Sequence, residues 1–116
     1  MTHRMNLNPQ PFSMIAEGKK TIELRLWDEK RRQISAGDIL VFTNTADPSA
    51  MLQCKVKKLH IFPDFAELYR SLPLLECGYL PEELETAAPE DMDVYYSKAQ
   101  QQKYGVVGIA LELLAD

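Results

Sequence analysis

The sequence has few of the residue types that build metal centres and disulfide frameworks. Its 116 residues include two cysteines and two histidines, and none lies at ligand spacing from another. Cys54 and Cys77 are far apart, so we expect reduced thiols that pack in the interior. His3 and His60 form no ligand pattern either. The sequence therefore predicts no metal and no cofactor.

Long hydrophobic runs are also missing. The first residues, MTHRMNLNPQPF, lack the apolar stretch of a signal peptide. No segment approaches the ~20 apolar residues that cross a bilayer, so we expect a cytoplasmic protein without a membrane partner. Repeats and low-complexity tracts are absent, and hydrophobic residues make up 46% of the chain. This pattern predicts one domain spanning residues 1–116 around one core.

Charge is unevenly distributed along the chain. Residues 1–60 hold ten Lys and Arg against six Asp and Glu, whereas residues 61–116 hold three against eleven. The net charge of −4 argues against coating of duplex nucleic acid by charge alone. A basic surface in the first half could still bind an anionic ligand, although uneven composition on an ordinary polar surface explains the same counts equally well.

The first third of the chain predicts a strand, a helix and a second strand. Residues 4–8 alternate in polarity, and Asn8 is then expected to cap a helix that ends at Gly18. The next strand, residues 21–26, carries apolar side chains on one face. The other face carries three polar residues, Thr21, Glu23 and Arg25.

The remaining elements follow from turn residues and apolar periodicity. We predict strands over 39–42, 51–61 and 106–113, with loops over 27–37 and 43–49. A phase change in the second of these strands predicts a bulge near Lys57 and Lys58. Asp64 and Ser97 are expected to cap two short helices. Residues 74–96 predict only isolated helical turns, at 81–84 and after Pro89.

These elements predict an α+β fold. The strands, about five or six in number, are joined mostly by loops rather than by crossover helices. We therefore expect a mixed β-barrel with flanking short helices, not a doubly wound parallel sheet.

Two segments resemble a known family. MNLNPQPFSMIAEGKKTIELRLWDEKRRQISAGDILVFTN resembles the opening of ASCH (activating signal cointegrator homology) domains, with G-x-K after a helix, T-x-E-x-R on the next strand, and G-D before another. The closing YYSKAQQQKYGVVGIALE is similar to the final helix and strand of that family. The resemblance implies a PUA-like β-barrel and a cleft that binds RNA or a nucleoside or nucleotide.

The resemblance also implies a comparison with one hydrolase branch. That branch cleaves N4-acylated cytidines with a threonine nucleophile, a lysine base and a glutamate, and the threonine follows the lysine by three residues. Alignment of G-x-K places the lysine on Lys20 and the threonine position on Glu23. A carboxylate cannot replace the hydroxyl in that mechanism, so catalytic roles for these two residues stay open. Glu76 lies near the position of the branch's acidic residue.

The predicted ligand-binding residues combine the polar strand face with nearby cations and aromatics: Lys20, Thr21, Glu23, Arg25, Trp27, Arg31 and Tyr96. Strict alternation favours Lys19 over Lys20 on this face, but the family alignment favours Lys20. Trp27 is the preferred stacking residue, and packing is the alternative for it and for the tyrosines. A basic rim is a further expectation, built from Lys30, Arg31, Arg32, Lys55, Lys57 and Lys58.

Three hypotheses follow from the sequence. The first is a module that binds RNA, a nucleoside or a nucleotide in a polar cleft. The second is a hydrolase acting on a nucleoside amide or on RNA, with Lys20 and Glu23 in acid and base roles. The third is a structural or protein-interaction domain, which predicts no accessible cleft at Glu23.

Overall fold

The computed structural model describes residues 1–114. The strands in this range are β1 (Thr2–Leu7), β2 (Ile22–Leu26), β3 (Ile39–Asn44), β4 (Asp47–Phe62) and β5 (Val106–Leu113). The α-helices are α1 (Pro9–Ala16), α2 (Phe65–Ser71) and α3 (Lys98–Tyr104). Short 3₁₀ helices occupy Arg31–Gln33, Pro81–Glu83 and Pro89–Val94.

The five strands form one mixed sheet in the order β1-β3-β4-β5-β2. β1 and β3 are parallel, and the other three pairs are antiparallel. The sheet curls into a half-barrel, so that its two edge strands approach each other. Arg25 Nη2 in β2 donates to the backbone carbonyl of Asn6 in β1 at 2.8 Å. The predicted mixed barrel with short flanking helices is confirmed, with five strands.

One core fills the concave side of the sheet under α1. Phe12 and Ile15 from the helix pack there against Leu40, Phe42 and other buried strand residues. Their exposure is at most 9%, so α1 is held by its apolar stripe, as its spacing predicts. Cys54 belongs to this core and carries a free thiol, whose pKa burial raises to about 11.

A second core lies beneath α2 and the segment 74–96. β2 contributes Ile22, Leu24 and Leu26 to it. Phe65 and Leu68 come from α2, and both are at most 1% exposed. The core also includes Cys77, Met92 and Val106. β2 therefore separates two packed regions, with its apolar residues directed at the second.

Several predicted local features occur in the structure. Lys57 is the extra residue of a bulge, because Val56 pairs with Leu111 and Lys58 with Ala110. Asp64 and Ser97 cap α2 and α3, accepting from backbone N–H groups at 2.9 and 3.1 Å. The segment 74–96 contains only the two 3₁₀ helices at Pro81–Glu83 and Pro89–Val94.

Two local predictions are wrong. Residues 43–49 are not a loop, because β3 runs to Asn44 and β4 begins at Asp47. Pairing of the two strands overrides the weak strand preference of Asp47-Pro48. Asn8 precedes α1 but makes no side-chain cap. Its Oδ1 instead accepts from the Thr45 hydroxyl at 3.2 Å.

Candidate functional site

A cavity of about 640 Å³ lies beside β2, between the start of α1 and the segment 74–96. Its charged lining groups are Lys20, Arg25, Glu23, Glu83 and Asp91. The aromatic lining consists of Tyr69, Tyr79, Tyr95 and Tyr96, which are four of the five tyrosines in the chain. This is the size of a small-molecule site, and its polar groups converge on one volume.

The register of β2 explains why one charged side chain is buried and a second is half-buried. Glu23 pairs with Ile109 and Arg25 with Val107 across the antiparallel strands. Paired residues share a sheet face, so both charged side chains point to the face of the first core. They lie where that core ends and the cavity begins. Glu23 is 5% exposed as a residue.

Lys20 enters the cavity because the chain turns sharply after α1. Gly18 has a φ of 78°, and the N–H groups of Lys19 and Lys20 both donate to the Met14 carbonyl, at 2.9 and 3.1 Å. Lys19 is left on the surface, paired with Glu17 at 3.3 Å. Lys20 is 9% exposed and faces Glu23, so the structure selects Lys20 over its neighbour.

Lys20, Glu23 and Arg25 form a buried ion triad. Lys20 Nζ lies 3.0 Å from Glu23 Oε1, and Arg25 Nε donates to Glu23 Oε2 at 2.8 Å. Arg25 Nη2 reaches the same carboxylate oxygen at 2.8 Å. Burial acts to raise the pKa of Glu23, but the two cations outweigh it and the net pKa is lowered. Glu23 is therefore an ionised acceptor that fixes two cations in place.

The opposite wall carries a chain of hydroxyl groups. Tyr69 Oη lies 2.7 Å from Tyr79 Oη, and Tyr79 Oη donates to Asp91 Oδ2 at 2.7 Å. Burial raises the pKa of Tyr69 to about 12. Burial, with the bonds to Tyr69 and Asp91, also raises the pKa of Tyr79. Both hydroxyls therefore keep their protons at neutral pH.

Tyr96 and Tyr95 line the side of the cavity near α3. Tyr96 is the predicted aromatic residue that the structure places in the cavity, and its ring stacks on Phe65 with centroids 6.3 Å apart. Burial raises the pKa of the Tyr96 hydroxyl. Tyr95 is 64% exposed and lies 6.4 Å from the Tyr96 ring. The exposed Tyr95 ring is available for stacking at the cavity edge.

Two predicted residues, Thr21 and Glu76, lie outside this cavity. Thr21 precedes β2, and its hydroxyl donates to Glu76 Oε1 at 2.9 Å. The N–H groups of Thr21 and Ile22 both donate to the Glu76 carbonyl, which turns Thr21 away from Glu23. Thr21 and Glu76 line a separate depression instead, together with Lys57 and His60. The strand begins one residue too late for Thr21 to share the polar face.

Trp27 and Arg31 also lie outside the cavity. Trp27 packs against the first core, with the Arg32 guanidinium 5.9 Å from its ring centroid. Arg31 Nη1 donates to Asp28 at 3.2 Å. Their loop is anchored to α3, since Arg32 donates to the Tyr104 carbonyl at 3.0 Å. In this structure Trp27 therefore packs against the core and Arg31 pairs within its loop, and neither side chain lines the cavity.

The residues of the predicted basic rim do not line the cavity. None of its members is among the cavity-lining residues: Lys30, Arg31, Arg32, Lys55, Lys57 and Lys58. Lys55 and Lys57 project from β4, which pairs with β3 and β5 in the middle of the sheet. The cavity lining instead holds two cationic and three anionic side chains. The excess of positive charge in residues 1–60 therefore does not make the cavity lining positive.

Sequence reasoning missed the wall formed by Tyr69, Cys77, Gly78, Tyr79 and Asp91. Most of these lie in the segment 74–96, which has no periodic pattern to orient them. The available signal was the clustering of tyrosines between residues 69 and 96. Burial raises the pKa of the Cys77 thiol to about 11, so Cys77 is a packing residue rather than a thiolate.

Within residues 1–114, no helix is both long enough and apolar enough to cross a membrane. Within the same range, no three His, Cys, Asp or Glu side chains come together as ligands for a metal ion.

The curled five-stranded sheet, with α1 on its concave side and a polar cavity at its open edge, has the PUA-like architecture. The family model for the ASCH domain matches residues 5–115. This chain belongs to the ASCH-domain family.

Solved structures with the same fold cover nearly the whole chain. The crystal structure of hypothetical protein PH0355 is 33% identical, with a TM-score of 0.81, over 98% of this chain and 100% of that one. The solution NMR structure of protein PF0455 from Pyrococcus furiosus is 32% identical, with a TM-score of 0.72, over all of both chains. No curated protein matches this chain.

Proposed function

We propose that the cavity binds one nucleoside, either free or as an unpaired residue of single-stranded RNA. The volume of about 640 Å³ suits a ligand of that size. Tyrosine rings at the edge supply stacking surfaces for a base. Membership of the ASCH-domain family supports the same class of ligand.

The observation that carries this proposal is the buried ion triad at the cavity wall. Glu23 uses one oxygen for Lys20 and the other for Arg25. Lys20 has three N–H donors, and Arg25 has five. The bonds to Glu23 and Asn6 leave donors of both side chains for a ligand. Buried ion pairs add little net stability, so fixing these donors towards the cavity is the better account of the triad.

The charge balance of the cavity favours the neutral part of a nucleotide. Lys20 and Arg25 are outnumbered by Glu23, Glu83 and Asp91, so the two cations and three carboxylates give the lining a formal charge of −1. A phosphate would therefore be repelled by the lining as a whole, even though donors of the two cations are free. We therefore place the base and ribose inside the cavity and any phosphates outside it.

Binding is favoured over hydrolysis by the state of Glu23. Both of its oxygens accept from cations, and its lowered pKa makes it a weak base. The side chain that lies beside Lys20 at this position is therefore a carboxylate acceptor, not a hydroxyl nucleophile. The geometry supports ligand orientation by the triad, and the position three residues after Lys20 carries no hydroxyl that could form an acyl-enzyme.

The neighbouring lysines provide a matched test of the proposal. Lys20→Met should weaken nucleoside binding by at least about tenfold, because a charge-assisted hydrogen bond is lost while Arg25 still compensates Glu23. Lys19→Met should leave binding unchanged, since Lys19 lies on the surface with Glu17. Isothermal titration calorimetry with the four ribonucleosides and their 5′-monophosphates measures both effects.

Two results would contradict the proposal. One is the absence of binding by every nucleoside at millimolar concentration. The other is equal weakening of binding by the two lysine substitutions, which would indicate a site on the surface rather than in the cavity. A monophosphate that binds about a hundredfold tighter than its nucleoside would refute the placement of phosphates outside.

A further inference from the structure

The hydroxyl chain on the cavity wall has a fixed direction. Tyr79 donates its single hydroxyl hydrogen to Asp91 Oδ2 at 2.7 Å. Tyr79 then has no hydrogen for Tyr69, and the 2.7 Å bond between them must be donated by Tyr69. Asp91 Oδ2 also accepts from the Ala88 N–H at 3.2 Å, which holds the carboxylate in place.

This direction decides what the wall offers to a ligand. With both hydrogens used, the Tyr69 and Tyr79 oxygens present only lone pairs to the cavity. The triad on the β2 side presents N–H donors from Lys20 and Arg25. The cavity therefore has a donor side and an acceptor side.

We propose that the Tyr69–Tyr79–Asp91 chain selects bases that carry an exocyclic amine over bases with a carbonyl at the same place. This inference rests on the proposed function, since it specifies which nucleosides the cavity takes. An amine donates to the tyrosine oxygens, while the ring carbonyl or ring nitrogen of the base accepts from the triad. A carbonyl in place of the amine sets lone pairs against lone pairs and leaves the tyrosine oxygens without a donor.

The size of the preference follows from one hydrogen bond in a partly buried site. A net bond to an uncharged partner, together with removal of a lone-pair conflict, corresponds to a preference of about tenfold. The two natural pairs that make this exchange are cytidine against uridine and adenosine against inosine. In each pair the adjacent ring nitrogen also changes from acceptor to donor, so the tyrosine variants are needed to assign the preference to the hydroxyl chain.

The test compares these two pairs in calorimetric titrations of the full chain and three variants. The wild type should bind the amine member of each pair about tenfold more tightly. Tyr79→Phe removes one oxygen and releases the Tyr69 hydrogen to donate, so the preference should fall to about twofold or less. Tyr69→Phe should also reduce the preference, because it removes the other acceptor.

Tyr104→Phe is the matched control. Tyr104 is the one tyrosine outside the cavity lining, and the Lys103 ammonium lies 5.0 Å from its ring centroid. Loss of its hydroxyl should leave the preference intact. Thermal unfolding followed by circular dichroism checks that each variant folds. If Tyr79→Phe does not fold, Tyr69→Phe still tests the inference.

The outcomes separate this inference from the proposed function. Equal binding of both members of each pair by the wild type overturns the inference alone. A preference that survives in both Tyr69→Phe and Tyr79→Phe also overturns it. Failure of every nucleoside to bind overturns the proposed function, and the inference falls with it.

Discussion

At the scale of single residues, Gly78 combines an unusual backbone conformation with a direct contact to a cavity residue, Lys20. Its φ of 107° lies in a region that residues with a Cβ rarely adopt. An added Cβ would lie 3.1 Å from Lys20 Cδ and 3.4 Å from Lys20 Nζ. Gly78 therefore permits a sharp turn and leaves room for the Lys20 side chain.

Gly78→Ala should damage both stability and the site. Backbone strain alone should lower the free energy of unfolding by about 1 to 2 kcal/mol. The new methyl group should also push the Lys20 ammonium from Glu23 and weaken nucleoside binding severalfold. Urea unfolding and calorimetry measure the two effects separately.

Gly37→Ala is the control that separates backbone strain from displacement of the Lys20 side chain. Gly37 has a φ of 94°, but an added Cβ there would meet nothing within 4 Å. We expect a similar loss of stability with unchanged binding. If Gly78→Ala binds nucleosides like the wild type, Lys20 does not need its present position.

The identity of the central residues was predictable, but their surroundings were not. The family motif placed Lys20, Glu23 and Arg25 together, while strand alternation favoured Lys19. The sharp turn after Gly18 shifts the alternation by one residue. Backbone bonds from Lys19 and Lys20 to the Met14 carbonyl at the end of α1 hold this turn, and side-chain alternation carries no signal for them. Thr21 was misplaced for a similar reason, because Glu76 holds it outside β2.

At the scale of elements, one carboxylate connects β1 with the turn before β3. Asp38 Oδ2 lies 2.8 Å from His3 Nε2 and accepts from the Ser35 N–H at 3.0 Å. The hydrogen bond with His3 is the largest cause that lowers the pKa of Asp38, and the bond from Ser35 is the next. Together they lower this pKa to about 2 from its ordinary 3.8. The pairing of parallel strands β1 and β3 is thereby tied to the ionised state of one residue.

Asp38→Asn should therefore destabilise the protein in a pH-dependent way. Because the folded-state pKa is below the unfolded one, the ionised Asp38 stabilises the fold fully above about pH 4 and loses this effect as pH falls towards 2. The difference in unfolding free energy between wild type and variant should be largest near neutral pH and shrink below pH 4. Urea titrations at pH 7, 5, 4 and 3 measure it.

Glu29→Gln is the control for this measurement, since Glu29 is an exposed carboxylate in the loop after β2. It should show a stability difference close to zero at every pH. A constant difference between wild type and Asp38→Asn from pH 7 to 3 would contradict the assigned role of Asp38.

Elements with strong local signals were predictable from the sequence. The phase change at Lys57 and the caps at Asp64 and Ser97 are local, and the structure contains all three. The extension of β3 and β4 into residues 43–49 depends on pairing between strands, which composition does not reveal. The segment 74–96 is positioned by contacts to β2 and α2, so its orientation had no local signal.

At the scale of the whole molecule, the sheet and the segment 74–96 enclose a volume that neither forms alone. Lys20 before β2 and Arg25 in β2 supply the donors, and the segment returns over β2 to supply most of the acceptors. The bonds from Thr21 and Ile22 to the Glu76 carbonyl fasten this segment to the start of β2. The charge asymmetry of the sequence plays no visible part in the cavity, whose lining mixes both signs.

The most direct test of the central claim is a map of where a nucleoside binds. Two-dimensional ¹H–¹⁵N NMR spectra of the full chain, titrated with cytidine, report binding residue by residue. We predict shifts concentrated at residues 20–25, 77–79 and 95–96, with Lys55 and Lys57 unaffected. Shifts confined to the basic residues of β4 and the loop at residues 30–32, or no shifts at all, would contradict the account.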